Sequence, residues 1–108
     1  MATHEITRLL KMSQTQLYDY VLERAKVFQD KGYSLLHNKS KKYIVLFPDG
    51  QALYPVLASH LDIKNNIPPD EVRLDGRGVY TGYRENQRSV LGGDDRCGVW
   101  AMLELLES

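Results

Sequence analysis

Leu91-Gly92-Gly93-Asp94-Asp95-Arg96-Cys97-Gly98-Val99-Trp100-Ala101-Met102-Leu103-Glu104-Leu105-Leu106-Glu107 is the stretch on which the fold turns. Its paired glycines permit a tight strand-to-helix turn and close approach of other groups. Asp94 and Asp95 stand at the positive end of the following helix dipole. One can cap that helix while the other reaches a metal, or the pair can be no more than a capping turn. Val99, Leu103 and Leu106 fall on one face, but Trp100, Met102 and Leu105 spread apolar surface around the others. A helix apolar on most sides is normally buried between layers, and one other long helix with a small sheet gives it little cover. Gly98, in the first turn, is expected to let the helix lie close to a neighbouring strand. Cys97 is expected to be a small buried residue there, with no histidine near it in sequence to make it a nucleophile.

Upstream, Val56-Leu57-Ala58-Ser59 is a short continuous apolar run, the pattern of a central strand buried on both faces. It ends in His60-Leu61-Asp62. Side chains two apart on a strand share a face, so His60 and Asp62 can meet. An imidazole that ligates a metal commonly gives its other N–H to a carboxylate. The C-terminal edge of a strand is also where open α/β sheets place their ligands. The plainer alternative is a polar pair in solvent. Between the two motifs, residues 63–77 contain Asn65-Asn66, Pro68-Pro69 and Asp75-Gly76 and read as a surface loop. Val79–Tyr83 and Ser89–Leu91 read as strands around a Glu85-Asn86-Gln87 turn.

The N-terminal half supplies a helix and a hairpin. Residues 3–12 suit a short first helix with Thr3 as a candidate N-cap. Ser13 and Gln16 stand at capping-box spacing, and Leu17, Val21, Ala25 and Phe28 recur at helical spacing behind them. Gly32 sits where a left-handed C-cap is wanted, which predicts a helix over 14–31. The period then changes to two: Tyr33–His37 and Tyr43–Phe47 read as a hairpin joined by Asn38-Lys39-Ser40-Lys41-Lys42. Pro48-Asp49-Gly50 is a turn.

Composition bounds the rest. The chain has 108 residues, 43% hydrophobic and 26% charged, as expected of one ordinary globular domain rather than a disordered or coiled-coil chain. Fourteen basic residues balance fourteen acidic ones, which argues against a nucleic-acid partner. The lysines of the hairpin tip, Lys39, Lys41 and Lys42, then read as a solvated turn. No apolar run approaches the roughly 20 residues that cross a bilayer, so no membrane association is expected. No signal-type segment is recognisable, and a single cysteine gives no disulfide framework. The expected location is the cytoplasm.

Taken as a pair, HLD after an apolar strand and GGDDRCG before an apolar helix resemble the co-catalytic zinc exopeptidases. That superfamily includes peptidase T, zinc aminopeptidases and glutamate carboxypeptidases. Tyr54–Asp62 and Leu91–Leu106 carry the likeness, with the helix and hairpin before them in the same order. The resemblance implies an α/β fold: N-terminal helix, β-hairpin, buried central strand and C-terminal helix, the start of an α/β/α sandwich. It implies that residues 1–108 form a single domain, the N-terminal part of such a catalytic domain. It implies two Zn2+ ions per complete site, His60 as a terminal ligand, Asp62 as the carboxylate that orients His60, and Asp94 as the bridging aspartate with a cis bond to Asp95. Peptides are the substrates that it implies for full-length members.

The same resemblance calls for a glutamate base, further acidic ligands and a late histidine beyond the bridging aspartate, and this chain has no counterpart for them. Glu104 and Glu107 lie on the helix, and His4 and His37 precede the motif. A catalytic zinc keeps three protein ligands and a water, so the chain is expected not to hydrolyse peptides by itself. A small non-enzymatic α/β domain is the competing expectation. It would bind a protein partner or complete a metal site across chains, with the 95–107 helix as the surface for self-association or a partner chain.

Overall fold

Ser13 both separates two helices and starts the second. In the computed structural model, which describes residues 3–50, 58–63 and 67–108, α1 spans Thr3–Lys11 and α2 spans Gln14–Lys26. The Ser13 hydroxyl accepts from Gln16 N at 3.1 Å, and Ser13 N donates to Gln16 Oε1 at 2.9 Å. This is the reciprocal capping box that the spacing predicts. The helix expected over 14–31 does reach Lys31, but its last part, Val27–Lys31, tightens to a 3-10 helix before Gly32 closes it at φ 86°. The Thr3 side chain, the expected cap of α1, lies outside the described residues.

Strands β1 (Tyr33–Asn38) and β2 (Tyr43–Pro48) pair antiparallel, with Leu36 opposite Val45. A second, separate sheet holds β3 (Glu71–Leu74), β4 (Tyr80–Arg84) and β5 (Gln87–Ser89), all antiparallel. β3 corrects the expectation of a continuous loop over 63–77. Glu71-Val72-Arg73-Leu74 pairs with Tyr80–Tyr83, and Asp75 folds the turn by accepting from Arg77 N at 2.8 Å and Val79 N at 3.0 Å. Glu85 and Asn86, at φ 52° and 64°, make the two-residue turn from β4 to β5.

The buried strand expected at Val56–Ser59 lies partly outside the described residues, as does Tyr54. Ala58 is exposed and Ser59 half-buried, without strand pairing. Helix α3 covers Gly93–Glu107. Its Val99 and Leu103 join Leu9 of α1 and Leu17 of α2 in the core, with Met12, Tyr20, Val21, Leu61 and Trp100 packed around them. The core thus sits among three helices. The α/β class expected is present, with its N-terminal helix, hairpin and C-terminal helix.

Candidate functional site

Leu61 and Ile63 decide where their neighbours point. Leu61 packs against the helical core and Ile63 is buried, so His60 and Asp62, which alternate with them, turn outward together. His60 Nδ1 lies 3.2 Å from Asp62 Oδ1 and 3.1 Å from the Asp62 carbonyl oxygen.

The second segment reaches them through Gly92. Its φ of 83° is a left-handed conformation that glycine adopts freely. A Cβ there would lie 3.1 Å from Ile63 Cγ2, so its absence lets the two segments close on each other. Asp94 and Asp95 have non-helical dihedrals, and the peptide bond between them is cis, the isomer that the resemblance implies. The helix proper begins at Arg96, whose N–H donates to Gly92 O at 3.2 Å. Asp94 is thereby carried out to His60, with Nε2 to Oδ1 at 2.9 Å. Asp95 turns the other way and lies over the first turn. A Cβ on Gly98 would come within 2.6 Å of Asp95 Cγ. Room for a carboxylate, rather than for a strand, is therefore the reason for Gly98.

The structure brings His60, Asp62 and Asp94 into one cluster across 34 positions of sequence. It opens on a cleft of about 330 Å³ lined by His60, Asp62, Ile63, Val90, Gly92 and Asp94. The Asp94 side chain is 94% exposed and that of His60 48%. The hydrogen bond to Asp94 is the chief cause that holds the imidazole above its usual pKa, helped by Asp62 at Nδ1. Both ring nitrogens face oxygen acceptors, and both donate only in the imidazolium form.

Imidazole nitrogen and carboxylate oxygen are donor types that suit zinc. A tetrahedral zinc between Nε2 and Oδ1 needs them about 3.4 Å apart, given bonds of about 2.0–2.2 Å. The pair would have to open by roughly half an ångström. Among the described residues no group of three or more His, Cys, Asp or Glu is arranged to hold a metal ion. What the structure places together is the His60–Asp94 pair, with Asp62 at the other ring nitrogen.

Other candidates fall elsewhere. Cys97 is exposed, which corrects the expectation of a buried thiol: Val99 and Leu103, rather than Cys97, face the core. His37 sits on β1 with Nδ1 3.5 Å from the Tyr18 hydroxyl. Glu107 is held by Arg24. Sequence reading passed over Arg96, which is wholly buried beside the site. Its signal was available, since a basic residue in a first helical turn opposes the dipole and needs another reason to be there.

The chain matches no protein-family model, no curated protein and no solved structure. Among the described residues no helix is long and apolar enough to cross a membrane.

Proposed function

We propose that His60, Asp62 and Asp94 are one part of a dinuclear zinc site of the exopeptidase kind, and that this chain supplies ligands and orientation without turnover of its own. The observation that carries the reading is the 2.9 Å approach of His60 Nε2 to Asp94 Oδ1 with Asp62 on the other ring nitrogen. With the ring neutral, Nδ1–H donates to Asp62, which leaves the Nε2 lone pair for a metal and raises the basicity of the ring. Asp94 offers a carboxylate that two cations can share, offsetting their mutual repulsion. When bound, the metal pair would polarise a peptide carbonyl and activate a water. The glutamate base and the remaining ligands have no counterpart in these residues, so peptide hydrolysis belongs to a larger assembly of groups. The cytoplasm is part of this reading, supported by the single cysteine.

The exposure of Asp94 favours a second reading, in which another chain completes the site. The test is a Co2+ titration of the 108-residue chain, read by its visible spectrum and by sedimentation. Saturable binding that His60→Ala and Asp94→Ala each abolish is expected, with no release of amino acids from peptides. Binding that drives association would favour the inter-chain reading, and wild-type binding unaffected by both substitutions would remove the metal proposal.

A further inference from the structure

Among the described residues, Arg96 is the one charged side chain that is wholly buried, at 0% exposure. Among the described residues its guanidinium forms no ion pair. Nε donates to Leu9 O at 3.3 Å and Nη2 to Met12 O at 3.0 Å, the carbonyls where α1 ends and the link to α2 begins. Leu9 O also accepts from Met12 N at 3.2 Å, and carbonyls at the end of a helix carry the negative end of its dipole, so a cation suits them. Nη1 is buried with no hydrogen-bond partner among the described residues.

This is an expensive way to close a helix. A buried charge with no ion-pair partner among the described residues is costly, and an apolar side chain of similar volume often serves stability as well. The position of Arg96 offers another reason for it. Its main-chain N–H holds Gly92 O, and its Cδ packs 3.5 Å from where a Gly92 Cβ would be. The arginine therefore braces from beneath the turn that carries Asp94, two residues before it.

We infer that Arg96 is a positioning residue for the His60–Asp94 pair, tying the turn that presents Asp94 to the end of α1. The inference rests on reading that pair as a site, but its geometry is testable without metal. The long-range 1H–15N spectrum of the metal-free chain reports how the His60 ring is bonded, and Asp94→Asn supplies the signature of the lost contact. Arg96→Met, folded by circular dichroism, is expected to move the His60 ring signals toward those of Asp94→Asn and to weaken Co2+ binding about tenfold. Arg96→Lys, which keeps the charge and loses the fork, is expected to fall between, a rescue that a purely structural role would not give. Should Arg96→Met fail to fold, Arg96→Lys decides alone. His60 signals unchanged in the folded variant overturn the inference even where wild-type binding upholds the metal reading. Shifted signals in a chain that binds no cobalt uphold the positioning role and overturn the metal reading instead.

Discussion

His60 is where the local electrostatics can be measured most directly. Its pKa is raised above 6.5, first by the Asp94 hydrogen bond and then by Asp62. A raised pKa means that the folded state binds the proton more tightly than the unfolded one. The contribution is full below the unfolded value and fades as pH rises through the folded one. In an NMR titration Asp94→Asn is expected to lower the His60 pKa while leaving the fold intact; an unchanged value would mean that the 2.9 Å contact is absent in solution. Gly92 makes a sharper structural prediction. Alanine there meets Ile63 at 3.1 Å and must hold a left-handed φ. We expect Gly92→Ala to cost about 1–3 kcal/mol in urea unfolding and to separate the two segments, so that His60 loses its raised pKa. The meeting of His60 with Asp62 was legible from their spacing two apart on an extended segment, whereas the approach of Asp94, 34 positions on, was expected only through the resemblance. The contact of Ile63 with Gly92 was not legible, since it joins residues 29 apart that no periodicity relates.

At the scale of elements, the helices were legible because their signals are local: the Ser13–Gln16 box and the stripe Leu17, Val21, Ala25, Phe28 need no knowledge of the rest. β3 was hidden because it forms only by pairing with β4, and its mostly exposed residues alternate weakly among loop-like neighbours. What holds the helices together is also non-local. Tyr20 and Arg24 of α2 both donate to Glu5 of α1, and Arg24 also holds Glu107 at the end of α3. Burial alone would raise the Glu5 pKa, but the hydrogen bonds from Tyr20 and Arg24 outweigh it and hold it below its usual value. Such a carboxylate contributes stability above its unfolded pKa of about 4.3 and loses it as pH falls through the folded value. Acidification from about pH 5 to pH 3 should therefore destabilise the wild type more than Glu5→Gln, followed by urea midpoints. Arg24→Met is expected to cost about 2 kcal/mol at neutral pH, because it strands a nearly buried carboxylate. Equal acid sensitivity of wild type and Glu5→Gln would remove the network from the account of stability.

The whole molecule is open for its mass. Its Cα radius of gyration is 15.2 Å, against about 13 Å for a compact domain of this length. Its accessible surface is 7276 Å², where about 6,100 Å² is usual at this size. The sequence placed the uncovered apolar surface on the helix 95–107. There the packing of α1 and α2 against Val99 and Leu103 leaves Leu105, 61% exposed, as the one large apolar side chain of that helix that is mostly uncovered. The hairpin presents more: Leu36 stands opposite Val45, and Tyr43 lies on the same face, all three exposed. A two-stranded sheet with an apolar face and no layer over it is marginal in water. Isolated chain at tens of micromolar is therefore expected to sediment above 12.4 kDa. Leu36→Lys with Val45→Lys should return it to that mass, whereas Leu105→Lys alone should change little. A wild-type chain that stays monomeric over a hundredfold range of concentration would mean that the hairpin face is stable against water. Reversal by Leu105→Lys alone would return the interface to the helix.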